Sequence, residues 1–112
     1  MLFRSKMAQK LGLDPQTFYD ISSVSSGQCW SMTSYCPLPG VGPKSPADNE
    51  YQGGFATALM LKDLKLAMEA AQDAGAHVPM GKRAAELYSA FDAAGQGKLD
   101  FSEIIKIGRA HV

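Results

Sequence analysis

With 112 residues, 11 basic and 11 acidic side chains and two cysteines, the chain has room for one domain and carries no surplus charge. That balance gives no electrostatic reason to expect nucleic acid or an anionic membrane as a partner. No apolar run approaches the roughly 20 residues of a membrane span, and the first ten residues lack the apolar core of a signal peptide. Cys29 and Cys36 match neither a CxxC redox pair nor a zinc pattern, and read as reduced thiols.

The two ends are expected to be foreign to the fold. MLFRS can be encoded by GTGCTCTTCCGATCT; the reverse complement, AGATCGGAAGAGCAC, read after two bases, gives IGRAH. That string resembles a sequencing-library adapter, so residues 1–5 and 107–112 read as translated adapter around a domain at 6–106. Without Arg4 and Arg109 the chain keeps 9 basic against 11 acidic residues, a net charge near −2.

Residues 6–11 read as the tail of a helix closed by Gly12 at C′. Asp14-Pro15 is an N-cap and N1 pair that opens a second helix to about Val24. Ser26 is placed to cap a short third helix, from Gly27 to about Tyr35. The loop CPLPGVGPKSPADN follows, where four prolines and two glycines argue against regular structure. The spacing predicts a central helix over 54–74 with Gly75 as its C-cap, and another from Pro79 to about Ala94 with Ala84, Leu87, Tyr88 and Phe91 on one face. Asp100 caps a last helix to about Lys106. No strand of convincing alternation and no repeat is visible. The fold class is all-α.

The central helix stands out. It is apolar on almost every side, which suits an interior or a partner's surface, yet Phe55, Leu59, Lys62 and Leu66 place an ammonium on one apolar line. Spacing alone favours a lysine whose methylene stem lies along that surface while its charge reaches water.

Three other patterns imitate known sites. SGQCWSM looks like the nucleophile region of papain-type proteases, but the one histidine outside the suspect ends, His77, is not placed to activate Cys29. His77 itself has no second ligand at helical or hairpin spacing, and reads as a loop histidine near a helix C-terminus. FDAAGQGKLDFSEI imitates an EF-hand loop with Asp92, Gly97, Asp100 and Glu103 at positions 1, 6, 9 and 12. Ala94 at position 3 offers no oxygen, so a helix end at Gly95 and an N-cap at Asp100 explain the segment better. No metal is expected.

Three segments together resemble the β-hydroxyacid dehydrogenase family, most closely its 3-hydroxyisobutyrate dehydrogenase branch. They are SSGQCWSMTSYCPLPG, SPADNEYQGGFATALMLKDLKLA and AAELYSAFDAAGQGKLDFSEII. The resemblance implies the helical C-terminal domain of the 6-phosphogluconate dehydrogenase-like type, without the Rossmann domain that precedes it in the family. Phe55, Lys62 and Asp63 match the family's FxxxLxxKD motif, which implies cofactor contacts to NAD, with NADP not excluded. Trp30 and Tyr35 match positions bordering the pocket for a small hydroxyacid substrate. No catalytic residue is expected in this chain: the family's lysine lies in an upstream GxGxxxKxxN motif, and Lys6 and Lys10 lack those surroundings. The resemblance further implies a homo-oligomeric parent acting in valine catabolism, cytoplasmic in bacteria or in the mitochondrial matrix of eukaryotes, with this piece inactive alone. Alternatives are a tartronate semialdehyde reductase or serine-type relative, and a self-contained EF-hand-like interaction module.

Overall fold

The computed structural model describes residues 2–107. Of the terminal segments expected to be foreign, Leu2–Ser5 lie in one helix with Lys6–Lys10 and Ser5 is buried, while Met1 and residues 108–112 lie outside those described. The chain divides into two compact units, Met1–Gln52 and Gly53–Val112. Among the described residues all regular structure is helical, with one isolated antiparallel bridge between Ala56 and Asp100. The all-α reading holds.

In the first unit, α1 (Leu2–Lys10) ends in a Schellman motif at Gly12, whose φ is +84°. Leu13 donates to the Ala8 carbonyl at 2.9 Å and Gly12 to Gln9 at 3.1 Å. α2 (Pro15–Ser22) begins as expected, Asp14 accepting the Thr17 N–H at 3.1 Å. The third helix is shorter than its spacing suggested. α3 spans only Trp30–Thr33, its N-cap is Cys29, and Ser26 caps nothing among the described bonds. Residues 22–28 go instead into successive turns, with the Ser25 hydroxyl donating to the Ile21 carbonyl at 2.6 Å. Serine side chains that bond locally compete with helix here.

The proline-rich loop also departs from expectation, because Pro46–Asn49 forms a 3-10 helix. Asp48 makes it possible. One carboxylate oxygen accepts the Ser45 N–H at 2.9 Å and the other the Gly40 N–H at 2.6 Å. Those two backbone donors, Gly40 first, hold the Asp48 carboxyl below its ordinary pKa. Tyr51, at a φ of +61°, is buried and donates its hydroxyl to the Pro37 carbonyl at 2.7 Å. A buried ring and a satisfied hydroxyl offset the cost of that backbone conformation.

The second unit is built on a helical hairpin, α4 (Thr57–Ala74) and α5 (Pro79–Phe91). Gly75 closes α4 in the left-handed region, its N–H and that of Ala76 satisfying Gln72 and Ala71 at 3.1 and 2.8 Å. The helices approach closely at Gly81, where a Cβ would stand 2.8 Å from the terminal methyl of Met68. α4 starts three residues later than expected, since Gly53 and Gly54 both take positive φ. α5 stops at Phe91 and passes into a π-type turn, Asp92–Gln96, broken by Gly95 at φ +91°. The last helix, Phe101–Lys106, is 3-10 rather than α.

No side chain caps α4. Its first donors find carbonyls of the later loop: Thr57 N–H bonds Leu99 at 2.8 Å and Ala58 N–H bonds Gly97 at 2.9 Å. The Asp100 carboxylate, fully buried, accepts the Phe55 N–H at 2.8 Å and the Ser102 N–H at 3.0 Å, and takes the Ser102 hydroxyl as well. Phe101 N–H returns to the Phe55 carbonyl at 2.7 Å, and the two rings meet edge to face at 6.2 Å. A loop 45 residues away in sequence thus fixes where α4 begins.

Candidate functional site

Lys62 stands on the second turn of α4 and is exposed. Ala58, Leu61, Lys62, Lys65, Leu66, Glu69 and Asp92 line an open groove of about 400 Å³ beside it. Its lining joins three apolar side chains, Ala58, Leu61 and Leu66, to charges of both signs. Lys62, Lys65 and Glu69 recur at i, i+3 and i+7, so one helical face presents them together. Asp92 comes from the end of α5. Among the described residues none of these four forms a salt bridge.

Phe55 lies half-buried against Phe101 just before α4, held by the Asp100 bond. Asp63 is exposed and makes no salt bridge with Lys62 among the described residues. Adjacent helix positions point about 100° apart, so the two do not face each other. The stripe that carries Lys62 is open to solvent in this chain: Leu59 is 49% and Leu66 54% exposed, and of α4 only Thr57 and Leu61 are buried.

In the first unit, Trp30 and Tyr35 are brought together across α3. Their rings stack at 4.8 Å with planes 17° apart, and Trp30 stays 60% exposed. Such a pair offers a flat apolar wall with polar tips. Cys29, beside it, is exposed, and Cys36 is buried; burial pushes the Cys36 thiol up, away from the thiolate.

The EF-hand resemblance dissolves on geometry. Both Asp100 oxygens are taken by Phe55 and Ser102, and Glu103 receives Lys106 at 3.1 Å. Among the described residues no group of three potential ligands is placed to hold a metal. Nor is any described helix long and apolar enough to cross a membrane.

Lys65 and Glu69 were within reach of helical spacing from Lys62, since they share its face. Asp92 was not, because a second helix brings it to the groove. Two ammonium groups, two carboxylates and neighbouring apolar side chains could together hold part of a cofactor that carries phosphate, hydroxyl groups and a ring. A GxGxxG strand–turn–helix for the remainder of such a cofactor is not in this sequence.

Comparison with known proteins shows the family of the chain. Residues 5–107 match the family model described as NAD-binding of NADP-dependent 3-hydroxyisobutyrate dehydrogenase. A probable 3-hydroxyisobutyrate dehydrogenase of Mycobacterium tuberculosis is 47% identical over 104 residues, covering 93% of this chain and 35% of its own length. The mitochondrial 3-hydroxyisobutyrate dehydrogenase of Homo sapiens is 43% identical over 100 residues, covering 89% of this chain and 30% of its own. A structure of the Mycobacterium tuberculosis enzyme with L-serine superposes with a TM-score of 0.90 at 44% identity, over 96% of this chain and 37% of that one. The chain therefore spans about a third of the length of the curated relatives it matches. Their helical C-terminal region is the part it shares. The chain belongs to the family of NAD-binding helical domains of NADP-dependent 3-hydroxyisobutyrate dehydrogenases.

Proposed function

We propose that the chain is the helical, cofactor-facing portion of an enzyme that oxidises 3-hydroxyisobutyrate to methylmalonate semialdehyde with NAD(P), a step of valine catabolism. The observation that carries the reading is Lys62: an exposed ammonium on an apolar stripe, within the FATALMLKD pattern of a chain of this family. In the intact enzyme a Rossmann domain covers this stripe, and NAD(P) supplies the hydride acceptor. Lys62 donates to the cofactor's polar edge, Phe55 gives an apolar surface next to it, and Asp63 helps fix the lysine. Trp30 and Tyr35 border the pocket of the small hydroxyacid. The domain proper is residues 6–106, with α1 running into it from Leu2. The parent is a homo-oligomer, cytoplasmic in a bacterium or in the mitochondrial matrix of a eukaryote.

Two polar tasks in that reaction have no residue here. The base that takes the alcohol proton and the glycine-rich turn for the pyrophosphate belong to the portion outside this chain. The chain by itself is then inactive. Assay of the purified chain with NAD or NADP and 3-hydroxyisobutyrate is expected to give no turnover above a protein-free blank. Reading the gene upstream of Lys6 is expected to reveal a GxGxxxKxxN helix in frame. Turnover by the chain, or an upstream frame without that motif, would overturn the proposal.

A further inference from the structure

An aspartate just before a helix ordinarily spends its carboxylate on that helix's own first N–H groups. Asp100 does this with one oxygen. Oδ2 accepts the Ser102 N–H at 3.0 Å, and the Ser102 hydroxyl, at the start of the last helix. The other oxygen goes elsewhere: Oδ1 accepts the Phe55 N–H at 2.8 Å, 45 residues back in the chain. A serine or threonine would cap the last helix without the cost of burying a carboxylate, and Asp100 is fully buried. What the aspartate adds is the second oxygen.

The bond from Phe55 does not start α4. The donors of the first turn are satisfied without it, Thr57 N–H by Leu99 and Ala58 N–H by Gly97, while Leu59 and Met60 bond the Ala56 carbonyl at 2.9 and 3.0 Å. Phe55 precedes the helix, and its N–H has no part in the helical ladder. Oδ1 therefore fixes the place of one residue rather than the existence of the helix.

Phe55 is a residue that requires fixing. Gly53 and Gly54 before it have φ of +76° and +66°, and glycine restrains the backbone least. Three ties to the loop after α5 oppose that freedom. Asp100 takes the Phe55 N–H, Phe101 N–H bonds the Phe55 carbonyl at 2.7 Å, and the two rings meet edge to face at 6.2 Å. The carboxylate tie lies out of reach of competing water, which keeps it strong.

We propose that Asp100 is a positioning residue for the cofactor face, setting where Phe55 and, through the first turns of α4, Lys62 stand. This rests on the reading that Phe55 and Lys62 meet the nicotinamide cofactor, and adds to it the group that holds them. Side chains that meet a ligand work when hydrogen bonds behind them hold them to within about 0.5 Å. Asp100 acts through the Phe55 N–H, from behind the face.

Amide NMR of the isotopically labelled full-length chain tests this, with NADH as the probe. NADH is expected to shift the amides from Phe55 to Leu66 saturably. Asp100→Ser keeps a cap for Ser102 but brings no second oxygen to Phe55. Its Thr57 and Ala58 amides should stay in place, its Phe55 amide should exchange faster, and NADH should bind about threefold to tenfold more weakly, as for one lost buried hydrogen bond. Ser102→Ala removes a bond from the other oxygen. It should unfold at lower urea and bind NADH as the unsubstituted chain does. Should Asp100→Ser unfold, Asp100→Asn carries the test: one acceptor then serves three donors, and NADH should weaken about twofold or more, against no change for Ser102→Ala. Unchanged NADH affinity in the Asp100 variants, or equal weakening in Ser102→Ala, would overturn the proposal and leave the Lys62 reading standing. No saturable shift at Phe55 and Lys62 in the unsubstituted chain would sink that reading, and the proposal with it.

Discussion

The Asp100 carboxylate accepts the Phe55 backbone N–H at 2.8 Å across 45 residues of chain. That bond joins the loop after α5 to the entry of α4, ahead of Lys62. Removing the carboxylate strands the Phe55 N–H and both Ser102 donors in a buried position. Asp100→Ala is therefore expected to cost about 2–4 kcal/mol, and Asp100→Asn clearly less because it retains one acceptor. Urea unfolding of the chain measures both. A loss below about 1 kcal/mol for the alanine variant would contradict the assignment.

Tyr88 gives a test at alkaline pH. Its hydroxyl donates to the Phe101 carbonyl at 3.0 Å, and burial, with the Asp100 charge second, pushes its pKa well above the ordinary tyrosine value. A folded pKa above the unfolded one means that the folded chain holds its proton longer. The stability from this group is intact below about pH 10 and is lost as pH rises beyond it. Ultraviolet titration is expected to show the Tyr88 phenol ionising only with unfolding, an ionisation that is missing from Tyr88→Phe. Tyr88→Phe should lose about 1 kcal/mol at neutral pH and flatten the alkaline decline.

Asp48 gives the opposite sign. Its pKa is lowered by the Gly40 and Ser45 N–H groups, so its contribution is present above the ordinary aspartate value and disappears as pH falls through the lower, folded value. The side chain is exposed, and the effect on global stability is small. Amide shifts of Gly40 and Ser45 are the suitable probe. They should titrate together with a midpoint below about 3.9, and not at all in Asp48→Asn. A midpoint at or above that value would contradict the two Asp48 hydrogen bonds.

Two glycines separate backbone need from space. Gly75 sits at φ +65° with nothing within 4 Å of the place a Cβ would occupy, so Gly75→Ala is expected to cost about 1 kcal/mol from conformation alone. Gly97→Ala meets the flexible end of Asp92 at an ordinary φ. It should cost less in thermal unfolding while moving the Asp92 signals. Equal costs would refute the distinction.

Much of this chain is legible in its sequence because its punctuation is local. Asp14-Pro15, Gly12, Gly75 and Pro79 act on neighbouring backbone, and each appears where its chemistry requires. The same reasoning places Lys62 on an apolar stripe. It fails where the partner is distant. Nothing near Ala56 signals that Gly97 and Leu99 carbonyls cap α4, or that Gly53 and Gly54 turn left-handed before it. Ser26 illustrates the converse: a good capping residue is overruled by serine turns around it. At the site, Lys65 and Glu69 follow from helical periodicity, whereas Asp92 needs the α4–α5 hairpin.

The central claim is that Lys62 faces a cofactor held by a domain outside this chain. The most direct measurement grafts residues 6–106 in place of the matching segment of the Mycobacterium tuberculosis enzyme, which superposes at a TM-score of 0.90. The folded chimera is expected to oxidise 3-hydroxyisobutyrate with a nicotinamide cofactor. Lys62→Ala should raise the cofactor KM by about tenfold or more and leave the thermal midpoint unchanged. A folded chimera whose cofactor KM ignores Lys62→Ala would contradict the account.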